Sequence, residues 1–75
     1  MKALIKFLKE NIDEDEVCST IRRMYQTRFP FHVANPTLHA RLSDLMDEYG
    51  SDHDFDPDWW QETYELDDIL FKIAS

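Results

Sequence analysis

The stretch Asn35-Pro36-Thr37-Leu38-His39-Ala40-Arg41-Leu42-Ser43-Asp44-Leu45-Met46-Asp47-Glu48-Tyr49-Gly50 decides the fold class. Asn is a strong helix N-cap, because its side-chain oxygen accepts an otherwise free N–H of the first turn. Proline in the next position has its φ preset for a helix and lacks only an N–H that would be unpaired anyway. Leu38, Leu42, Leu45, Met46 and Tyr49 then recur at spacings of three and four, one apolar stripe of a helix. Gly50, the only glycine, stands where a left-handed C′ residue would close it.

Working toward the N-terminus, Phe29-Pro30-Phe31-His32-Val33 alternates apolar with other residues but has no second strand to pair with. It reads as an extended connector, around residues 28–34, that inserts Phe29, Phe31 and Val33 into the core. Before it lies a second helix. Asp13 is its N-cap, with Glu16 three residues on as in a capping box, and Ile12 and Val17 form a hydrophobic staple. Its stripe is Val17, Cys18, Ile21, Met24 and Tyr25, and it ends near Thr27 because Pro30 disfavours helix at Phe29. A first helix covers about Lys2 to Glu10, with Leu4, Ile5, Leu8 and Ile12 on one face and Lys2, Lys6 and Lys9 on others.

Working toward the C-terminus, an acidic loop over 51–55 leads to Asp56 and Pro57, a cap and an N1 proline. A helix from there to about Ile73 places Trp59, Leu66, Ile69, Leu70 and Ile73 on the core face and Trp60, Tyr64 and Phe71 on a second stripe. A break near Tyr64 is the alternative, and it is favoured by Glu62, which would border the core face of an unbroken helix.

These patterns describe an all-α, single-domain chain of three to four short helices. The expected core is Leu4, Ile5, Leu8, Ile12, Val17, Ile21, Met24, Leu38, Leu42, Leu45, Met46, Trp59, Leu66, Leu70 and Ile73. Hydrophobic residues at 43% and aromatics at 13% exclude a disordered chain. At 75 residues there is little surplus for a catalytic cavity as well as a core, so the expectation is a non-enzymatic chain. One cysteine, Cys18, rules out an intramolecular disulfide and a multi-cysteine zinc site, and suits a reducing compartment. The apolar residues near Met1 are interrupted by Lys6 and Lys9, and no small-residue cleavage site follows. No run approaches the roughly 20 apolar residues that span a bilayer. The cytoplasm is the expected location, with no membrane partner and no cofactor.

Three motifs could carry chemistry, and each is weak. Asp52-His53-Asp54-Phe55-Asp56-Pro57-Asp58 has carboxylates at alternate positions, as a calcium loop does. Counting from Asp52, the turn glycine and the closing glutamate are replaced by Pro57 and Thr63; counting from Asp54, Trp59 holds the glycine position. Cys18, His32, His39 and His53 show no metal-ligand spacing. Arg22, Arg23 and Arg28 beside Tyr25, Phe29 and Phe31 form the third, a basic and aromatic group of the kind that contacts nucleic acid. Three arginines are few, and the net charge of −8 repels polyanions.

The charge distribution is more informative. Residues 1–41 hold seven Lys/Arg against five Asp/Glu, whereas residues 42–75 hold one Lys against eleven Asp/Glu. Asp44, Asp47 and Glu48 fall in the second half of their helix, where the dipole disfavours acids by about 0.3–1 kcal/mol each. The expected partner-binding residues are therefore Asp44, Asp47, Glu48, Asp52, Asp54, Asp58, Glu65, Asp67 and Asp68, with Trp60 and Tyr64 as aromatic anchors. In its general character, tiny, acidic and without a catalytic signature, the chain resembles the small inhibitory proteins of phages and mobile elements. Several of those act as nucleic-acid mimics, presenting carboxylates where a nucleic-acid-binding enzyme expects phosphates. The resemblance is one of composition and transfers no residue. It implies a protein partner with a basic surface. The alternative is self-assembly, in which the basic N-terminal half of one copy pairs with the acidic C-terminal half of another.

Overall fold

Asn35 and Pro36 open a helix as their chemistry requires. In the computed structural model, which describes residues 2–75, the Asn35 side chain accepts from the Leu38 N–H at 3.0 Å and Pro36 sits at N1. Among the described residues five helices follow one another: α1 (Lys2–Asn11), α2 (Glu14–Thr27), α3 (Phe31–Ala34), α4 (Pro36–Asp52) and α5 (Leu66–Ala74). Helix α5 lies against α1 and α2, α4 packs on α1 and α5, and α3 bridges α2 and α4. The fold is all-α, with one helix more than expected.

The start of α2 follows its sequence. Asp13 is the N-cap, and its carboxylate accepts from the Asp15 N–H at 2.9 Å, one position short of the box partner Glu16. Ile12 and Val17 are both buried, as a staple demands. The helix ends at Thr27 because Arg28 turns left-handed (φ 63°) and its N–H reaches back to the Met24 carbonyl at 2.9 Å.

The connector departs from expectation. Pro30 holds an extended backbone, and the chain then makes one helical turn, in which the Ala34 N–H donates to the Pro30 carbonyl at 2.9 Å. A helical turn places residues three apart on one face, so Phe31 and Ala34 go into the core. Phe29 and Val33, expected inside, stay about half exposed at 50% and 48%. Alternation of apolar residues was the wrong period for this segment.

Helix α4 also runs past its expected end. Gly50 is helical and buried, and no described glycine has positive φ. A Cβ at Gly50 would collide with Nε1 and Cδ1 of the Trp59 indole, so the glycine serves close approach of that ring. Termination comes later. Asp54 adopts the left-handed conformation (φ 58°), the Phe55 N–H donates to the Gly50 carbonyl at 2.8 Å, and the Asp54 N–H donates to the Ser51 carbonyl at 3.3 Å. This is a Schellman motif with aspartate in the position glycine usually takes.

The expected helix from Asp56 to Ile73 is broken. Residues 56–63 form successive turns, with Trp59 N–H to Asp56 carbonyl at 3.0 Å and Tyr64 N–H to Trp60 carbonyl at 2.8 Å, and α5 begins only at Leu66. The break leaves Glu62 in solvent and sets the two tryptophans in reversed roles: Trp60 is buried, at 8% exposure, and Trp59 half-buried.

The core otherwise follows expectation, Phe31 and Ile69 included, with Ala34 and Trp60 added. Ile5, Ile21 and Met24 pack half-buried at its edge. Cys18 is exposed, and Tyr25 is 71% exposed, so the inner stripe of α2 is narrower than its sequence suggests. Thr20 takes a buried place instead; its hydroxyl donates to the Glu16 carbonyl at 2.8 Å. Among the described residues no helix is long and apolar enough to cross a membrane.

Candidate functional site

The Schellman turn at Asp54 folds Phe55 back beside the last turns of α4. Tyr49 precedes the turn by one helical turn, and its ring lies 6.3 Å from that of Phe55. Trp59 reaches the same place from the turn segment, with centroids 5.2 Å from Phe55 and 5.8 Å from Tyr49. Tyr64 meets Trp59 edge-on at 5.9 Å and 71°. With Leu4 of α1 and Thr63, these four rings line a cleft of about 340 Å³.

Hydrogen bonds fix its walls. The Trp59 indole N–H donates to the Met46 carbonyl at 3.0 Å, across the bare face of Gly50. His53 stacks on Tyr49 at 4.2 Å, and its Nδ1 lies 2.8 Å from the Tyr49 carbonyl. A carbonyl only accepts, so Nδ1 carries the proton in this arrangement. Phe7 of α1 supports Tyr49 from behind at 5.6 Å.

The expected acidic residues divide into groups. Asp52, Asp54 and Asp58, together with Asp56, are exposed along the segment that carries Phe55 and Trp59. Asp54, Asp56 and Asp58 alternate in sequence with Phe55 and Trp59 without lining the cleft, and Asp52 borders a separate depression with Lys6, Glu10, Tyr49 and His53. Asp44 and Glu48 are exposed on α4, one and two turns beyond the exposed Arg41 on the same face. Asp47 is engaged within the molecule: its Oδ1 accepts from the Trp60 indole N–H at 2.9 Å. The buried indole finds its acceptor there, which accounts for one carboxylate that the helix dipole disfavours. Trp60 is therefore a core residue and not an exposed anchor; the break before α5 turned it inward.

Glu65, Asp67 and Asp68 stand at the start of α5, where its dipole favours acids. Asp68 borders a shallow depression with Phe71, Lys72 and Ser75, away from the aromatic cleft. Phe71 itself faces Met24, Tyr25, Arg28, Phe29 and Pro30. The expected stripe of Trp60, Tyr64 and Phe71 is thus dispersed, because the chain is not one continuous helix between them.

Two features escape a reading of the sequence. One is the cleft: helical spacing puts Tyr49 and Trp59 in core stripes and leaves Phe55 at the end of the acidic loop. The available signal is four aromatic side chains, Tyr49, His53, Phe55 and Trp59, within eleven residues and interleaved with acids. The other is basic. All four lysines of the chain, Lys2, Lys6, Lys9 and Lys72, line one groove between α1 and α5 over Ile5. Lys9 Nζ donates to the Ser75 carbonyl at 3.4 Å there. Arg23, a member of the basic and aromatic group, is exposed and donates from Nη1 to the Ala34 carbonyl at 2.9 Å, which ties α2 to the end of α3.

Among the described residues no group of three or more His, Cys, Asp or Glu side chains comes together to hold a metal ion. Comparison with protein-family models, with curated proteins and with solved structures finds no significant match. The arrangement of rings and carboxylates is therefore the whole basis for a functional reading. Aromatic faces amid acids can bury contact area and attract positive charge, which is the chemistry of recognition.

Proposed function

We propose that this chain is a protein-binding module whose acidic, aromatic C-terminal face docks on a basic surface, such as that of a nucleic-acid-binding protein, and acts by occupying it. The observation that carries the reading is that Phe55 and Trp59, two walls of the aromatic cleft, share one segment of chain with the exposed carboxylates Asp52, Asp54, Asp56 and Asp58. The rings supply the contact area of an interface centre, and the acids on that segment steer a basic partner and fix its register. Asp44 and Glu48 extend the same charge along α4. Asp47 and Trp60 support the surface from within.

The test is a pull-down from nuclease-treated lysate of the source organism or its host, at low and high salt. The expected capture is a basic, nucleic-acid-handling protein that is released by salt. A variant carrying Asp44→Asn, Asp52→Asn, Asp54→Asn and Asp58→Asn should lose that capture while keeping its helical spectrum. Unchanged capture by this variant would remove the acidic face from the mechanism.

A second reading is self-assembly, and the convergence of the four lysines on one groove favours it specifically. The acidic face of one copy would sit on the lysine groove of the next, a head-to-tail contact. Sedimentation at low and high salt separates the two readings: a monomer at both excludes self-assembly.

A further inference from the structure

We propose that the cleft formed by Tyr49, Phe55, Trp59 and Tyr64 is a recognition site for an alkylammonium cation. The inference rests on the reading of the acidic face as the partner-facing surface, and names the group that the face would take up.

The ring faces carry the negative lobe of the aromatic quadrupole, and a cation held over several of them is stabilised more than over one. Here the interplanar angles are 60° for Tyr49 and Phe55, 56° for Phe55 and Trp59, and 71° for Trp59 and Tyr64. Walls set at such angles suit a rounded ammonium head, whereas a planar guanidinium stacks best on one parallel face. The Trp59 N–H is already committed to the Met46 carbonyl. What the indole has left to offer is its π surface, and tryptophan offers the strongest one.

The site is held in place before any ligand arrives. Trp59 is seated against Gly50, and Phe55 is held by the hydrogen bond from its own N–H to the Gly50 carbonyl at 2.8 Å. Such preorganisation lowers the ordering cost of binding. Charge narrows the ligand class. Asp54, Asp56 and Asp58 are exposed on the segment that carries Phe55 and Trp59, Lys6 lies with Asp52 and His53 beside Tyr49, and the chain as a whole has a net charge of −8. That net charge disfavours anions, and a neutral apolar ligand gains nothing from these acids. The lining, among the described residues, offers hydroxyls but no carboxylate. It holds no anion to form an ion pair with a primary ammonium, whereas an N-methylated ammonium needs no hydrogen-bond acceptor and presents its methyl groups to the rings.

The experiment is a two-dimensional NMR titration of the intact chain with choline and with its uncharged isostere 3,3-dimethylbutan-1-ol. Choline should shift the Trp59 indole N–H saturably and bind about tenfold more tightly than the isostere. The Trp60 indole N–H, buried against Asp47, serves as the internal control. Phe55→Ala, at an exposed position, should abolish the choline shift without unfolding the chain. Nα-acetyl-lysine amide and its trimethyl-lysine counterpart then distinguish a protein side chain from a free solute as the source: tighter binding of the trimethyl-lysine form than of choline assigns the cleft to a methylated lysine. Equal affinity for choline and the isostere, or no saturable shift at Trp59, overturns the proposal. If choline fails while the Asp→Asn variant still loses its captured protein, the cation site falls and the acidic-face reading stands. If choline binds while capture ignores the Asp→Asn changes, the cation site stands and the docking reading falls.

Discussion

The Asn35 amide donates from Nδ2 to the Thr20 hydroxyl at 2.9 Å, while its Oδ1 accepts from the Leu38 N–H at 3.0 Å. One side chain thus caps α4 and ties it to the middle of α2. Asn35→Ala removes both bonds, and we expect a loss of about 1–2 kcal/mol. Asn35→Asp keeps the cap but cannot donate to Thr20, and its loss should be smaller. Urea unfolding followed by circular dichroism ranks the three proteins; an Asp variant as weak as Ala would make the tie to Thr20, and not the cap, the dominant contribution.

Gly50→Ala should destabilise despite the higher helix propensity of alanine. The new Cβ collides with the Trp59 indole, and overpacking of this kind costs about 1–3 kcal/mol. In a Trp59→Leu background the collision is gone, and the same change should become neutral or gain about 0.5–1 kcal/mol. A double-mutant cycle measures the difference. Equal effects in both backgrounds would mean that Gly50 is not there for the indole.

Asp54→Gly should stabilise by about 0.5–1 kcal/mol, because the left-handed C′ position carries a Cβ penalty that glycine lacks. Asp54→Ala removes the same charge and keeps the penalty, so it should lose stability. In a domain of this size the glycine variant should melt roughly 3–6 °C higher. If both substitutions shift the melting temperature alike, charge and not backbone geometry governs the position.

Asp47→Asn should be nearly silent in stability, since the amide oxygen still accepts from the Trp60 indole. Asp47→Leu leaves that buried N–H unpaired and should cost about 1–3 kcal/mol. Thermal melts of the two variants decide this. A destabilised Asn variant would show that the charge of Asp47 matters as well as its oxygen.

Much of the fold was legible because its signals are local. The caps at Asp13 and Asn35 and the stop at Thr27 lie within a few residues of the elements they bound, and the Leu and Ile stripes of α1, α4 and α5 repeat at the helical period. Three misreadings share a cause. Gly50 looks like a helix end, Phe29 to Val33 like an extended insert, and Trp59 like a core residue. In each case a distant partner settles the matter: the indole above Gly50, the space between α2 and α4 that Phe31 fills, and the Asp47 carboxylate that draws Trp60 inward.

The candidate site divides in the same way. Its acidity is plain from composition, because charge counts need no geometry. Its aromatic cleft is not, because Leu4, Tyr49, Phe55 and Tyr64 belong to separate parts of the chain.

By itself, then, the sequence determined the helical class, the caps, most of the core and the charge asymmetry, all of which follow from neighbouring residues or simple sums. Only the tertiary structure decided where α4 ends, which tryptophan is buried and which rings converge. Those outcomes depend on contacts between residues far apart in the chain, where packing volume and the need to pair every buried N–H override local preference.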